Sequence, residues 1–128
     1  MDDGTTGTVA LVDGFVEAYN SGDLERISSV LGDDVELTHH NRGETLKGRA
    51  AVMGMFEMAG QIMPGKSFVD RHSIDVLGPD KAVVRHTWTA TSVADIPGMA
   101  VQGETIRLDL ATFLTFADGL VVEYHDFG

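Results

Sequence analysis

The chain has 128 residues, a formal charge of −11 and a pI near 4.6. That acidity argues against a nucleic-acid partner, which needs a basic face to replace phosphate counterions, and an anionic membrane surface would repel the chain. With no cysteine, disulfides, zinc–thiolate sites and thiol catalysis are excluded, and a cytoplasmic location is the expectation.

An apolar fraction of 43% over this length predicts one domain, residues 1–128, with one core. Met1-Asp2-Asp3-Gly4 lacks a basic start and an apolar run, so it reads as neither signal peptide nor anchor. Val9, Val12, Phe15, Val16 and Tyr19 recur at helical spacing and predict a first helix with one buried face, stopped by Asn20-Ser21-Gly22. Asp23 caps a short second helix with Leu24, Ile27 and Leu31 inward. Gly32-Asp33-Asp34 reads as a break. Val35 to His39 follows as a strand with Val35, Leu37 and His39 on one face, and Asn41 to Lys47 as a polar loop. Gly48 opens a third helix through Met58, carrying Val52, Met55, Phe56 and Met58.

Four longer strands are predicted over 67–77, 81–93, 102–116 and 120–126. They are joined by Gly78-Pro79-Asp80, a loop around Pro97-Gly98, and Asp118-Gly119, a strong hairpin signal. Val84, His86, Trp88 and Ala90 alternate with Arg85, Thr87 and Thr89; Ile106, Leu108 and Leu110 alternate with Arg107 and Asp109; and Leu120, Val122, Tyr124 and Asp126 share a face. Helices followed by an antiparallel meander mean an α+β fold, with the helices covering the apolar sheet face.

The run from Phe15 to Leu24, then Leu31 to Val35, resembles the opening of the nuclear-transport-factor-2-like superfamily. Gly48-Arg49-Ala50-Ala51-Val52 resembles the start of its third helix, and Phe113 to Asp126 its closing hairpin. The resemblance implies a cone: three N-terminal helices packed in a curved, mostly antiparallel sheet, with a pocket at one end and a homodimer through the outer sheet face. Within the superfamily the chain is most similar to the SnoaL-like polyketide cyclases, which resemble ketosteroid isomerases and need no cofactor or metal. In the isomerases, a helix tyrosine, a strand aspartate base and a second aspartic acid fall at Phe15, at His39 and near Leu110 or Ala111, so only the base position keeps a titratable group. The Arg-x-Asp of limonene-epoxide hydrolases falls near His86 to Thr89 and is missing; Arg107-Leu108-Asp109 has the spacing but lies on the next strand, facing out. The last-strand aspartate of the cyclases is kept as Asp126.

Asp126, His39 and His86 are therefore the candidate catalytic groups. A carboxyl on an apolar face suits proton transfer near neutral pH, and a neutral imidazole serves as base or hydrogen-bond partner. The competing readings are a solvated strand end for Asp126 and backbone-bonded structural imidazoles for the histidines. His40 reads as a surface residue and His72 as a weaker candidate. Phe15, Tyr19, Leu37, Met55, Trp88, Leu108, Leu110 and Tyr124 are the expected walls of a site for a small apolar ligand. Met53, Met55, Met58 and Met63 read as core or as an adaptable wall. Three readings follow: a cyclase or isomerase acting next to a carbonyl, a non-catalytic binding module for an apolar ligand or protein, or a purely structural dimer whose pocket is filled by its own side chains. Epoxide hydrolysis fits less well.

Overall fold

A computed structural model describes residues 5–98 and 100–128, with side chains from Gly7 onward, so Met1 to Gly4 lie outside the described residues. The first helix, α1 (Thr5–Ser21), buries Thr8, Val12, Phe15, Ala18 and Tyr19 along one stripe. Gly22, at a φ of 70°, ends it by donating its N–H to the Tyr19 carbonyl. The side chain of Asp23 accepts from the backbone N–H groups of Glu25 and Arg26 and caps α2 (Leu24–Ser29), a contribution of about 1 kcal/mol. Ile27 is buried, but Leu24 is 38% exposed, because this short helix has room for one inward residue rather than two.

The first strand, β1 (Leu31–His39), starts earlier than expected: Gly32-Asp33-Asp34 does not break it. A register shift between Leu31 and Glu36 takes up the irregularity, and a Cβ on Gly32 would stand 3.2 Å from Cγ1 of Val122 on the neighbouring strand. The expected polar loop also contains a strand, β2 (Glu44–Lys47), which pairs with β1 at the sheet edge and shows no apolar alternation. Gly48 precedes α3 (Arg49–Ile62), which runs past Met58 and buries Val52 and Phe56. Met58 is 60% exposed, so its expected inward position is corrected; Met63, just beyond the helix, is buried instead.

The remaining strands are β3 (Ser67–Gly78), β4 (Lys81–Thr91), β5 (Thr105–Ala117) and β6 (Leu120–Phe127). They form one six-stranded sheet in the order β2-β1-β6-β5-β4-β3. Every pairing is antiparallel except β1 with β6, which is parallel and closes the first part of the chain onto the last. The three helices are present, but β1 and β2 separate α3 from the first two, so they are not one N-terminal block.

The β5–β6 turn is built on Asp118 and Gly119, at φ values of 53° and 77°, the left-handed pair that a two-residue hairpin needs. Beyond it β6 departs from simple alternation. Thr115 pairs with Glu123 while Phe116 pairs with Val121, so Val122 is an extra residue. This bulge turns Val121 inward, 0% exposed, and leaves Leu120 and Val122 only half-buried; the expected common face of Leu120, Val122 and Tyr124 is corrected accordingly. From Tyr124 on, the alternation returns and Asp126 points to the core. On β4 and β5 the expected inner residues Val84, His86, Trp88, Ala90, Ile106 and Leu110 are buried, Leu108 is half-buried, and Thr87 of the opposite face is buried as well; Thr112 and Leu114 continue the inner face of β5. Among the described residues, no helix is long and apolar enough to cross a membrane.

Candidate active site

Asp126 is 3% exposed and both of its carboxylate oxygens are engaged. The Thr112 hydroxyl donates to Oδ1 at 2.5 Å, and the Tyr124 phenol donates to Oδ2 at 2.6 Å. Nδ1 of His39 lies 3.5 Å from Oδ2. Each partner is delivered by strand pairing: Thr112 of β5 and His39 of β1 sit directly across from Asp126 in the two flanking ladders. The reading of Asp126 as a solvated strand end is thereby corrected.

Thr112 has one hydroxyl proton. Since it goes to Asp126, the Thr112 oxygen accepts from Nε2 of His86 at 2.8 Å. This fixes His86 with its proton on Nε2 and a bare Nδ1. His86 is 3% exposed and stacks on Phe68, with 4.3 Å between ring centroids and 4° between planes. Burial pushes its pKa down to about 4, against the opposing attraction of Asp126; Arg71 and His72 add to the fall. His86 is therefore neutral at neutral pH. His39 has 15% of its side chain open, yet its Nε2 is buried and has no hydrogen-bond partner among the described residues.

Aromatic rings fill the space around the carboxylate. Phe15 packs 5.8 Å from Tyr124 and 6.3 Å from Tyr19. The Trp88 indole N–H donates to the Tyr19 hydroxyl at 2.8 Å. Burial raises both phenols, Tyr124 with added help from the Asp126 charge; in Tyr19 the Trp88 hydrogen bond opposes the rise. Both stay protonated, as a donor to a carboxylate must. Leu37 is buried beneath His39, while Met55 and Leu108 are only half-buried against the core. Around the place of the expected open pocket, Phe15 packs against Tyr124, and Tyr19 is hydrogen-bonded to Trp88. Cavities open both beside the cluster and away from it. One, about 200 Å³, reaches His86 past Val16, Phe68 and Arg71; the other, about 430 Å³, lies by the ends of α1 and α3.

Other candidates lie away from the carboxylate. His72 is exposed on β3, and His40 is exposed, stacked on Phe127 at 4.0 Å. Arg107 pairs with Asp70 at 2.6 Å and Asp109 accepts from Thr87, both away from Asp126, so the spaced Arg-x-Asp takes no part. Among the described residues, no group of three or more histidine, aspartate or glutamate side chains is arranged to hold a metal ion. Sequence reasoning missed Thr112, although the Ile106–Leu108–Leu110 alternation extends to it and marks a hydroxyl on an apolar face.

The fold and its interior carboxylate define a small α+β protein in which a curved sheet holds titratable groups against helices. Residues 12–124 match the SnoaL-like domain, and the chain belongs to that family. The matched span stops two residues before Asp126, so the case for that residue rests on the geometry above. Solved structures of similar fold include a proposed polyketide cyclase from Xanthomonas campestris, with a TM-score of 0.84 and 19% identity over 98% of this chain and 92% of that one. Another proposed polyketide cyclase, from Pseudomonas putida, gives a TM-score of 0.79 and 22% identity over 92% and 88%. A protein from Catenulispora acidiphila described as having a ketosteroid isomerase-like fold, in complex with trimethylamine, gives 0.76 and 15% over 94% and 86%. No protein of curated function matches.

Proposed function

We propose that this SnoaL-like protein is a cofactor-independent acid–base catalyst that moves a proton at carbon next to the carbonyl of a small apolar compound, giving cyclisation or isomerisation. The observation that carries the reading is a buried carboxylate on the inner sheet face, held by Thr112 and Tyr124 and flanked by a histidine with a buried, unpartnered nitrogen. Asp126 would take the carbon-bound proton and return it. His39, with Nδ1 turned to the Asp126 carboxylate, would hold the substrate through Nε2. His86 would act through Thr112, as a positioning residue. The carbonyl compound would have to displace Phe15 or swing Tyr19 to reach the acid.

That filled interior also favours a second reading, a non-catalytic binding module whose ligand replaces the aromatic filling. Deuterium incorporation into β-tetralone in heavy water, followed by NMR, separates the two. Exchange that is faster with the protein than with its Asp126→Asn variant supports catalysis. Equal rates with both would leave only binding.

A further inference from the structure

The larger cavity holds a second chemical group, unrelated to Asp126. Its lining mixes apolar Ile27, Phe56 and Pro64 with polar Gln61 and Glu57, and includes Lys66. Lys66 follows the Pro64-Gly65 turn, where Gly65 has a φ of 77° and the Lys66 N–H donates to the Met63 carbonyl. Two residues on, the backbone of Phe68 is clamped at both its N–H and its carbonyl by the Asn20 side chain, at 2.8 and 3.0 Å. This clamp ties the start of β3 to the end of α1 and sets the lysine over Tyr19. Nζ lies 4.0 Å from the Tyr19 ring centroid and 5.2 Å from that of Phe56.

Lys66 is only 7% exposed, and among the described residues no carboxylate comes within ion-pair distance of it. A lysine buried this deeply is ordinarily paired. Here burial pushes the amine down to about 8. Among the described residues, its visible support in the charged state is the cation–π contact with Tyr19 and a longer one with Phe56.

We propose that Lys66 is a carbonyl-capturing amine, which takes an apolar aldehyde from this cavity as an imine. The nitrogen lone pair adds to the carbonyl carbon to give a carbinolamine; loss of its hydroxyl as water, with a proton from solvent or Glu57 and release of the amine proton, leaves the C=N bond. No oxidant or reductant is consumed. An unpaired, desolvated lysine beside apolar walls is the arrangement that makes an amine nucleophilic near neutral pH. An anionic ligand fits less well, since Glu57 and the overall charge of −11 repel it.

The chain has three lysines, and Lys47 and Lys81 are exposed, so the test has internal controls. The intact protein is treated at pH 7.5 with limiting hexanal and sodium cyanoborohydride, which delivers hydride to the imine carbon and fixes a secondary amine. Peptide mass spectrometry then reads each lysine. Lys66 is expected to be alkylated about tenfold or more above Lys47 and Lys81, because the cavity holds the alkyl chain beside an amine that is also neutral in larger fraction. With formaldehyde, which gains nothing from apolar walls, the preference should shrink. Equal labelling of the three lysines by hexanal would overturn the proposal; so would a preference that formaldehyde reproduces in full. The readout does not involve Asp126, so it stands or falls apart from the acid–base reading.

Discussion

His39 and Asp126 face each other across the one parallel pairing of the sheet, with Nδ1 of the first 3.5 Å from Oδ2 of the second. In parallel ladders residues in register project to the same side, so this pairing alone brings a strand-borne histidine beside an acid far away in sequence. The Tyr124 phenol shares the same carboxylate oxygen, at 2.6 Å. Asp126 thus already has two donors besides this contact, while Nε2 on the far side of the His39 ring has no hydrogen-bond partner among the described residues.

Asp126→Asn should cost both activity and stability. The amide would place an N–H where one of the two hydroxyls now donates, so that hydroxyl would have to turn and accept or leave the N–H unpaired, a loss of about 1–3 kcal/mol. Carbon exchange on the β-tetralone test should fall roughly 10²–10⁴-fold, the range for a lost acid–base group. Urea unfolding beside the NMR assay separates the two effects.

His86 should give stability an acid limb. Its folded pKa, about 4, lies below the ordinary histidine value, so the unfolded chain binds more protons between about pH 6.5 and 4. Stability from this group is complete above that window and is lost as pH falls through it, by about 3 kcal/mol in the limit. His86→Gln keeps a donor for Thr112 but cannot titrate. The gap between wild type and variant in urea unfolding should therefore narrow from pH 7.5 to pH 4.5; a constant gap would show that burial of the neutral imidazole is not the cause.

Lys66 should lower stability at neutral pH. Its folded pKa of about 8 lies below the unfolded value, so the cost of burying the charge is in full force below pH 8 and fades as pH rises toward 10.5. Lys66→Met should therefore be more stable than wild type at pH 7, by about 1–3 kcal/mol after the lost cation–π contact is deducted. That advantage should shrink above pH 9 in denaturant titrations.

The outer sheet face carries a candidate self-association patch. Phe113 and Phe127 are 38% and 43% exposed and pack edge to face, and His40 stacks on Phe127. Light scattering on the purified protein should report a dimer, and Phe113→Glu should shift it to monomer without changing the far-ultraviolet circular dichroism spectrum. A monomeric wild type would remove the homodimer from the proposed function.

Much of this architecture is legible in the chain because it is local. The helical stripe of Val12, Phe15 and Tyr19, the Asp118-Gly119 hairpin and the alternation around Trp88 are each short-range patterns, and the structure carries all three. What escapes the sequence is set by partners. Nothing near Gly32-Asp33-Asp34 announces a strand, because its extended form comes from pairing with β6. The edge strand β2 lacks alternation because it has little core to face, and the Val122 bulge depends on the register of β5. For the site, parity alone points Asp126, His39 and His86 inward. Their convergence on Thr112 depends on strand order, and the burial of Lys66 on the Asn20 clamp, neither of which has a local signature.

The parallel β1–β6 pairing also has a kinetic side. During synthesis β1 leaves the ribosome early and must wait for β6, which follows all the other strands, before its inner edge is covered. Until then Leu31, Val35 and Leu37 present an unpaired apolar edge, open to strand exchange and aggregation. Closing so long a loop is slow compared with forming the β4–β5 hairpin, so the carboxylate cluster is assembled in the last stage of folding. Variants that delay this closure should reduce soluble yield during expression even where the finished protein is as stable as wild type.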